Sequence, residues 1–469
     1  MRHYYTAEQI RSAEAPLLST LPDGVLMRRA AYALAGAIAA ELKARTGGVA
    51  GRQVCAVVGS GDNGGDALWA ATFLRRRGVS ASAVLLNPQR AHAKALNAFR
   101  AAGGRLVEFI PPATDLVIDG VVGIGATGAL RPDAASVFAA SAAPVVAVDI
   151  PSGVDVQTGT ADGPHVVAAL TVTFGGLKPV HALADCGRVE LIDIGLQLPS
   201  AALLGLDAAD VRERWPVPQP ADDKYTQGVA GILAGSATYP GAAILSTGAA
   251  VAATSGMVRY AGAAHAEVVS HWPEVVAAGS ASAAGRVQAW VVGPGLGVDE
   301  DCEEALRFAL STDLPVIVDA DALTVLARDP DLVADRSAPT VLTPHAGEFA
   351  RLAGHPPGRD RVGAARALAD QLGATVLLKG NVTVIAGTEA TYLNPAGQSW
   401  AATAGSGDVL SGVIGALLAS GIEPGAAAAM AAFVHARAAG LSAQDPGPRA
   451  VPTSAHRISA HLRAAIASL

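Results

Sequence analysis

Two glycine-rich turns that carry aspartates are the segments of this sequence best suited to chemistry. The first, GSGDNGGD, spans Gly59–Asp66, and the second, AGSGD, spans Ala404–Asp408. Glycines let backbone N–H groups approach an anion closely, and a helix that begins at the turn adds a favourable dipole. An aspartate at such a turn can take a proton from a bound hydroxyl group. Both turns are therefore candidate sites for an anionic ligand and for proton transfer.

More oxygen ligands follow two other predicted strands of the first half. Asp119 ends the run VIDG, while Asp149 and Ser152 lie in VDIPSG. Because the carboxyl ends of parallel strands meet at one edge of a sheet, we expect these side chains to lie beside the first turn. Asn63, Asp119 and Ser152 could together bind a hard cation through oxygen. The alternative is that Asp119 and Asp149 only cap helices.

The second turn leads into a long apolar helix pattern, VLSGVIGALLASG. The N–H groups of Gly405, Ser406 and Gly407 can then point into one small space and form an oxyanion hole for a transferring phosphoryl group. Asp408 is the candidate base that takes a proton from the attacking hydroxyl. The alternative is that Asp408 is only a favourable charge at a helix N-terminus.

Alternating strand and helix patterns position both turns. In the first half, short runs rich in β-branched residues end near Gly, Asn, Asp or Pro, as buried parallel strands do. These predicted strands are 53–58, 79–86, 115–122, 144–149 and 169–174, with helices at 7–15, 26–44 and 67–78. In the second half, strands are predicted at 229–234, 289–292, 316–319, 341–343 and 376–379, with helices at 409–420, 425–440 and 454–469. The pattern predicts an α/β protein with a Rossmann-like three-layer αβα domain followed by a second αβα domain.

A proline-rich stretch separates the two halves. RERWPVPQPADDK, residues 212–224, breaks the alternation, and its prolines favour an extended connector. The chain of 469 residues is too long for one ordinary core. We therefore expect a first domain over 1–211, a linker over 212–223 and a second domain over 224–469.

Composition excludes several classes of protein. A net charge of −7 argues against a nucleic-acid partner, which needs a basic surface. Cys55, Cys186 and Cys302 form no CxxC pair and suggest free thiols in a reducing compartment. The N-terminus has no signal-peptide pattern, and the apolar run 30–40 is about half the length of a membrane span. A cytoplasmic protein without a membrane segment is expected.

The first half resembles the NAD(P)H-hydrate epimerase family. The motifs that carry the resemblance are DNGGD, the Asp119 loop, DIPSG, TVTFGGLKPVH and VELIDIGL, and they cover nearly all of residues 1–210. The loop differs from the family pattern at two positions, with Asp62 in place of Asn and Ala67 in place of Gly. The resemblance implies inversion of the hydroxyl-bearing C6 of a hydrated nicotinamide ring.

The resemblance also implies roles for individual residues of the first half. Potassium ligands would be Asn63, Asp119 and Ser152. Substrate contacts would be Asp62, Asn63, Gly64, Gly65, Asp66, Gly123, Ile124, Gly125, Ala126, Thr127, Gly128, Ala129 and Asp149. Inversion needs a general acid or base, for which Asp149 is the candidate. Lys178 is a second one, or an ordinary surface lysine.

The second half resembles the ribokinase-like superfamily through TAGSGD, in which the equivalent aspartate is the catalytic base. Further segments narrow this to the ADP/ATP-dependent NAD(P)H-hydrate dehydratases. They are KYTQGVAGILAGSATYPGAAILSTGAA, AWVVGPGLG, VIVDADAL, LTPHAGEFARL and KGNVTVI, and with TAGSGD they cover essentially residues 224–469. The second domain is therefore expected to be a ribokinase-like αβα domain.

This second resemblance implies another set of contacts. The hydrate would touch Ala243, Gly297, His345 and Asp408, and the nucleotide would touch Lys379, Gly380, Asn381, Val382, Thr383, Gly405, Ser406 and Gly407. His345 could instead be a buried or turn histidine, and Lys379 could extend to the surface rather than bind phosphate. Mg²⁺ would neutralise the transferring phosphates. Glu348 could hold it through water or merely start a helix.

Together, the two halves predict a bifunctional enzyme of metabolite repair. One domain would interconvert R- and S-NAD(P)H hydrates, and the other would dehydrate the S form at the expense of ADP or ATP. Two alternatives remain open at this point. The second domain could phosphorylate a vitamin precursor or a sugar, and the first could be a dinucleotide-binding module without catalysis. Since both kinds of domain often assemble, a homo-oligomer is expected.

Overall fold

The computed structural model describes residues 1–125, 128–254 and 256–469. The chain divides into two compact units, His3–Ala202 and Leu203–Leu469, the second of which also includes Met1 and Arg2. Each unit is built from a β-sheet and the helices that pack on it, which confirms the predicted α/β class.

The strands and helices of the first part of the chain alternate as predicted. The strands are β1 (Arg2–Tyr4), β2 (Gln53–Val58), β3 (Ser80–Leu85), β4 (Arg105–Leu106), β5 (Leu116–Gly120), β6 (Val145–Val148), β7 (Ala168–Phe174) and β8 (Arg188–Ile192). The helices are α1 (Ala7–Thr20), α2 (Val25–Thr46), α3 (Asp62–Arg75), α4 (Ala93–Ala101), α5 (Pro132–Ala139) and α6 (Val180–Leu183).

The sheet of the first unit is parallel throughout, in the order β4-β3-β2-β5-β6-β7-β8. Successive residues of β2 enter different apolar clusters. Val54 and Ala56 pack with helix residues such as Leu68, whereas Cys55 and Val57 pack on the other side near Phe138. Since neighbouring residues of a strand face opposite ways, both faces of the sheet are covered. This is the predicted three-layer, Rossmann-like arrangement.

The second part of the chain contains ten strands and twelve helices among its described residues. The strands are β9 (Leu203–Gly205), β10 (Val229–Leu233), β11 (Met257–Ala261), β12 (Val276–Ala278), β13 (Ala289–Val292), β14 (Val316–Val318), β15 (Thr340–Leu342), β16 (Thr375–Leu378), β17 (Val382–Ala386) and β18 (Thr391–Pro395). The helices are α7 (Ala208–Arg214), α8 (Pro240–Ala253), α9 (His265–His271), α10 (Glu300–Leu310), α11 (Asp321–Leu326), α12 (Asp331–Ala334), α13 (Ala346–Ala353), α14 (Arg361–Leu372), α15 (Ser406–Ala419), α16 (Pro424–Gln444), α17 (Ala455–Ala460) and α18 (Leu462–Ala467).

The sheet of the second unit is mixed, in the order β1-β9-β18-β17-β16-β15-β14-β13-β10-β11-β12. Neighbouring strands run parallel along the part of this order that is β16-β15-β14-β13-β10-β11-β12. β17 is antiparallel to both of its neighbours. Helices α8 and α15 pack against this sheet, and the apolar α16 packs on α15. The parallel core places the ends of β14, β15 and β16 next to one another.

The structure differs from the sequence-based expectations at several edges. β9 pairs with β18, so the second unit begins at Leu203, before the expected domain end at 211. Helix α7 extends into the expected linker 212–223. The helix predicted over 454–469 is broken into α17 and α18. Three-residue strands and short helices carry too few residues to produce a clear periodic pattern.

Helix α16 is longer than the apolar run 30–40 and has the length and apolar composition of a membrane-spanning segment. However, 72% of its most apolar window is buried inside the protein. Residues along α16, including Met430 and Val434, belong to the large apolar cluster of the second unit. This burial is typical of a core helix.

Candidate active sites

A buried ion pair lies at the carboxyl ends of β6 and β7 in the first unit. Asp149 directly follows β6, and Lys178 follows β7 by a short turn. The Lys178 ammonium donates to Asp149 Oδ1 at 2.5 Å, to Thr173 Oγ1 at 2.8 Å and to the Phe174 carbonyl at 3.3 Å. The Lys178 side chain is only 1% exposed. Lys178 is thus not a surface lysine, and its three N–H bonds all have acceptors.

The charge and geometry of Asp149 fit a group that is held ionised. Burial alone would raise its pKa, but the Lys178 charge and hydrogen bond outweigh burial and keep the pKa of Asp149 below its usual range. Thr173 also donates to Oδ1 at 2.8 Å, whereas no donor to Oδ2 is found in the described part of the chain. Asp149 has a backbone φ of 70°, a strained value for a residue other than glycine. One carboxylate oxygen is therefore fixed by the protein and the other is free for a ligand.

His181 hydrogen-bonds to the backbone of both members of this ion pair. Its Nδ1 accepts the Lys178 backbone N–H at 2.9 Å, so Nε2 carries the proton and donates to the Asp149 carbonyl at 2.9 Å. Burial and the nearby Lys178 charge lower the pKa of His181 to about 4, so the ring is neutral. Sequence reasoning did not assign a role to Thr173 or His181, although both lie in TVTFGGLKPVH. The only feature that pointed to these two residues was their closeness to Lys178 in the sequence.

The three predicted cation ligands also come together. Asp119, at the end of β5, is fully buried, and it accepts the Ser152 hydroxyl at 2.7 Å and the Ser152 N–H at 2.9 Å. The Asn63 amide group donates to the carbonyls of Val122 and Val148, which directs its oxygen away from them. Burial raises the pKa of Asp119 to about 6, although the bonds from Ser152 oppose the shift. No basic side chain of the described residues pairs with Asp119.

The first turn packs too closely for side chains at its glycines. A Cβ at Gly59 would lie 1.9 Å from the Val121 carbonyl oxygen, and one at Gly64 would lie 2.4 Å from the Gly59 oxygen. Ala67 is buried against Gly120, whose own missing side chain leaves room for the Ala67 methyl group. The departure from the family pattern at Ala67 is therefore accommodated within the fold.

A large cavity of about 1210 Å³ opens above these groups. Its lining includes Asp149 and Lys178 and most of the predicted substrate contacts, namely Asp62, Asn63, Asp66, Gly123, Ile124, Gly125, Gly128 and Ala129. Gly64 and Gly65 are buried beneath it, and Ala126 and Thr127 lie outside the described residues. The volume is large enough for a ligand larger than a single nicotinamide ring.

Two acids of this cavity, Asp66 and Glu14, have raised pKa values. Asp66 is 7% exposed, and its Oδ1 has no hydrogen-bond partner among the described residues. Burial raises the pKa of Asp66 well above its usual value, assisted by the charges of Asp149 and Asp62. Burial also raises the pKa of Glu14, a residue of α1 that sequence reasoning missed. Helix α1, which precedes β2, carries no motif that marks one of its acids.

In the second unit, a lysine–aspartate pair lies beside the second turn. The Lys379 ammonium, after β16, donates to Asp319 Oδ1 at 2.7 Å, and Ser411 of α15 donates to Asp319 Oδ2 at 2.7 Å. Asp319 is 1% exposed, and Lys379 is 22% exposed at its side chain. A Cβ at Gly407 would lie 3.4 Å from the Lys379 nitrogen. The lysine is therefore directed at the glycine turn and not at the surface.

Asp408 lies in the first turn of α15 and differs from Asp319 in having no cation bonded to it among the described residues. Burial raises the pKa of Asp408 to about 7, the negative charges of Asp319 and Asp321 add to this, and Lys379 only partly opposes it. For Asp319, the Lys379 charge outweighs burial and lowers the pKa. A carboxyl group that titrates near neutrality can act as a general base under physiological conditions.

His345 begins α13 and is mostly exposed, with a side chain 57% accessible. Its Nδ1 accepts the N–H groups of Gly347 and Glu348, and the Glu348 carboxylate accepts the His345 N–H at 2.8 Å. His345 therefore caps its helix, and its Nε2 lies 3.4 Å from Glu348 Oε1 in a side chain that is otherwise mostly exposed. Glu348 also lies 3.9 Å from the Lys379 nitrogen, which links this loop to the ion pair.

The predicted nucleotide loop is a hairpin. Lys379, Gly380 and Asn381 connect β16 to the antiparallel β17, which begins with Val382 and Thr383. Arg361 donates to the Lys379 carbonyl at 2.9 Å and fixes the start of the hairpin. Gly380 and Asn381 are exposed, while Val382 and Thr383 are half-buried.

The second turn only partly matches the expected oxyanion hole. Gly405 has a φ of 80°, which a glycine adopts without strain. The Ser406 N–H already donates to the Thr403 carbonyl at 3.2 Å, and its hydroxyl bonds to Nε2 of the buried His435 at 3.0 Å. Ser406 therefore anchors the turn, which leaves the N–H groups of Gly405 and Gly407 as candidate donors. His435 lies 29 residues after Ser406. This separation matches no motif, so the contact could not be predicted from the sequence.

The two remaining predicted substrate contacts are Ala243, in α8, and Gly297, in the loop that follows β13. Ala243 is fully buried and packs beneath Gly235. Gly297 has a φ of 87°, and its N–H donates to Asp321 Oδ2 at 2.9 Å. Gly297 thus belongs to a loop that the Asp321 carboxylate holds in place. Ala243 instead packs under the loop that contains Gly235.

Comparisons with known proteins agree with the two-part organisation. The NAD(P)H-hydrate dehydratase family profile matches residues 230–461, and the profile described as YjeF-related protein N-terminus matches residues 23–180. The bifunctional NAD(P)H-hydrate repair enzyme Nnr of Mycobacterium tuberculosis is 74% identical over the full length of both chains.

Solved structures match the second half. An ADP/ATP-dependent NAD(P)H-hydrate dehydratase from Bacillus subtilis, co-crystallised with ATP and Mg²⁺, is 30% identical with a TM-score of 0.50, and the match covers 56% of this chain and 98% of that one. A ribokinase-like superfamily protein from Enterococcus faecalis is 23% identical with a TM-score of 0.52, over 58% and 98% of the two chains. The predicted ribokinase-like fold is thereby confirmed, and the full-length identity decides between the hypotheses: the chain belongs to the family of bifunctional NAD(P)H-hydrate repair enzymes.

Proposed function

We propose that the unit His3–Ala202 interconverts the C6 epimers of NAD(P)H hydrate and that the unit Leu203–Leu469 dehydrates the S form. The observation that carries the first assignment is the Asp149–Lys178 pair on the wall of the cavity. Inversion at C6 requires that a bond to this carbon break and re-form, and that the hydroxyl proton be taken up and returned. Asp149 Oδ2 is the base in this scheme. Lys178, with its N–H bonds occupied, holds the charge and orientation of Asp149.

We assign the potassium site to Asn63, Asp119 and Ser152. A buried carboxylate without a basic partner in the described part of the chain supports this, because a bound cation would offset the cost of its burial. The donors are all oxygens, as an alkali cation requires. K⁺ would fix the loop that follows β5, whose residues line the cavity. This role is structural and involves no proton transfer.

For the second unit, we assign Asp408 as the base that takes the proton of the C6 hydroxyl while this oxygen attacks a phosphoryl group. A hydroxyl is a poor leaving group at neutral pH and phosphate is a good one, so phosphorylation prepares the elimination. The position of Lys379 against Gly407 supports this, because an ammonium there lies beside the N–H donors of the turn. Phosphate leaves from C6 with its bonding electrons while C5 loses a proton to solvent, and the C5=C6 double bond that forms restores the dihydropyridine ring.

The same geometry suggests where a nucleotide would bind. The hairpin Lys379–Thr383 would hold the AMP portion, and Gly405 and Gly407 would face the transferring phosphate. Mg²⁺ would neutralise the phosphate charges, and Glu348, close to Lys379, would hold it through water. His345, whose side chain is mostly exposed, would contact the hydrate. ADP as phosphate donor would give AMP and phosphate.

A single assay tests both assignments in the full chain. A mixture of R- and S-NADH hydrate is added with ADP and Mg²⁺, and the return of dihydronicotinamide absorbance is followed with and without K⁺. A fast phase from the S form and a slower phase from the R form are expected, the slower one faster than spontaneous epimerisation and dependent on K⁺.

Each result has a defined meaning. A slow phase at the spontaneous rate would overturn the epimerase assignment and leave the dehydratase. No recovery with either ADP or ATP would overturn the dehydratase assignment. A slow phase that is faster than the spontaneous rate but indifferent to K⁺ would overturn only the potassium site.

A further inference from the structure

The cavity of the first unit extends well beyond the ion pair. Asp149 and Lys178 lie on the β6 and β7 side, whereas Asn87, Arg90 and His92, which follow β3, line the opposite side. In the sheet order, β2 and β5 lie between these two sides. A ligand that reacts at Asp149 must therefore cross the ends of β2 and β5 to reach the residues after β3.

The sheet order defines a direction for such a ligand. In doubly wound sheets of this order, a dinucleotide crosses the crevice at the first strand, and residues after the second strand contact the ribose of the adenosine half. An acidic side chain there favours a free 2′-hydroxyl group, whereas an arginine accommodates a 2′-phosphate. Here β2 is the first strand, β3 is the second, and the proposed reaction centre is at β6.

The residues that follow β3 are basic and lack any acid. From Leu86 to Val107 the sequence contains Arg90, Lys94, Arg100 and Arg105 but no aspartate or glutamate, in a chain of net charge −7. Lys94 is paired with Asp23, an acid on the cavity rim. Arg90, at the end of a short 3-10 turn (Pro88–Arg90), is exposed and has no carboxylate partner in the described part of the chain.

His92 adds to this end of the cavity. Its ring packs beside Gly65 of the first turn, where a Cβ would lie 3.2 Å from it, and its Nδ1 accepts the Ala95 N–H at 3.2 Å. The histidine thus fixes the segment after β3 against the glycine turn. Arg90 is thereby held at the edge of the same cavity that Asp149 lines.

We infer that Arg90 binds the 2′-phosphate of NADPH hydrate, and that the first unit favours the phosphorylated over the unphosphorylated hydrate. This inference rests on the proposed epimerase function and adds its substrate preference. The nicotinamide end lies at Asp149, the pyrophosphate crosses the turn Gly59–Asp66, and the adenosine ribose lies at Asn87 and Arg90. Arg90 contributes to binding and does not touch the reacting carbon.

The test uses the full chain, with R and S hydrates of NADH and, separately, of NADPH. For Arg90→Ala, kcat/KM of the slow phase should fall roughly tenfold or more with NADPH hydrate, as expected for loss of one charged hydrogen bond. It should stay unchanged with NADH hydrate. Arg90→Glu should lower the NADPH value further, and Arg90→Lys should retain most of it. The fast phase should be unaffected with both hydrates.

Arg100→Ala is the matched control, because Arg100 is an exposed arginine of α4 that is not among the cavity residues. It should change neither phase. Equal losses for both hydrates in Arg90→Ala, or no loss for either, would overturn the inference while the epimerase function stands. If the unaltered protein shows no slow phase above the spontaneous rate with either hydrate, the epimerase function fails and the preference inferred from it fails as well.

Discussion

The two candidate sites use the same residue types in opposite arrangements. In the first unit, Lys178 bonds to the aspartate that we assign as the base, Asp149. In the second unit, Lys379 bonds to Asp319, and the proposed base Asp408 has no cation bonded to it. The consequence is electrostatic. The pKa of Asp149 is held below its usual range, whereas that of Asp408 is raised to about 7 by burial and by neighbouring acids.

This difference fits the different tasks of the two groups. A paired, ionised carboxylate is a weak base but keeps one oxygen in a fixed position, which suits a proton that leaves and returns at the same substrate. A carboxyl group with a pKa near neutrality is a stronger base and can accept a proton fully as phosphoryl transfer proceeds. The placement of one lysine therefore separates the two kinds of site.

The largest effect is expected for Asp408→Asn. An amide cannot accept the hydroxyl proton, so dehydration of the S hydrate should slow by about 10²–10⁴-fold, the usual contribution of a general base. Recovery of absorbance with ADP measures this rate. Interconversion of R and S hydrates, followed by chromatography, should continue at the unaltered rate. A dehydration rate within a few-fold of the original protein would show that Asp408 is not the base.

Asp149→Asn should affect both activity and stability of the first unit. It leaves the Lys178 charge buried without a partner, which costs about 3–5 kcal/mol, and it removes the proposed base of epimerisation. Hydrogen exchange in β6 and β7, measured by mass spectrometry, reports the stability of this unit separately from the other.

The matched control for this change is the double variant Asp149→Asn with Lys178→Met. Removing the unpaired charge should restore most of the protection against exchange but none of the epimerase rate. If Asp149→Asn alone leaves exchange in β6 and β7 unaltered, the ion pair does not stabilise the unit as its burial suggests. Recovery of the epimerase rate in the double variant would exclude Asp149 as the base.

The location of both sites was visible in the sequence, because strand periodicity and glycine turns mark the ends of parallel strands. The carboxyl ends of β2, β5 and β6 were predicted to meet, and in the structure Ser152 donates to Asp119 while Asn63 donates to the carbonyl of Val148, the last residue of β6. The partner of each lysine could not be predicted. Asp319 and Lys379 are 60 residues apart, and their pairing depends on the order of the strands between them.

Residues outside recognisable motifs were missed for the same reason. Glu14 lies on α1, which precedes β2, and His435 lies on the alanine-rich α16. Neither position has a spacing that indicates a site. Only the packing of α1 over the cavity, and of α16 against the second turn, brings these side chains to the functional residues. Ser406 was expected to be an oxyanion donor. In the structure its N–H donates to the Thr403 carbonyl, so it anchors the turn instead.

The pH dependence should separate the two activities. Because the pKa of Asp408 is raised to about 7, this carboxyl group becomes protonated as the pH falls through 7 and can no longer act as a base. The dehydration rate should therefore fall about tenfold per pH unit below 7. Asp149, whose pKa is lowered, stays ionised there, so the epimerisation rate should show no acid limb near 7 from this residue. Initial rates between pH 5 and 8 measure both profiles, and a dehydration rate that stays constant as the pH falls below 7 would contradict the contrast.

The smallest effect is expected at Asp62, the residue that replaces Asn in the family pattern of the first turn. Its charge lies in the first turn of α3, where it repels an anionic pyrophosphate but also interacts favourably with the helix dipole. Asp62→Asn should therefore lower KM for the R hydrate about two- to fivefold at low salt, with kcat unchanged and the difference reduced at high salt. Glu108→Gln, which removes the same charge from an exposed position outside the cavity lining, should leave KM unaltered. The second turn has no acid at the position before its glycines. Asp62→Asn should therefore leave dehydration unaltered, and an effect on dehydration would contradict the separation of the two sites.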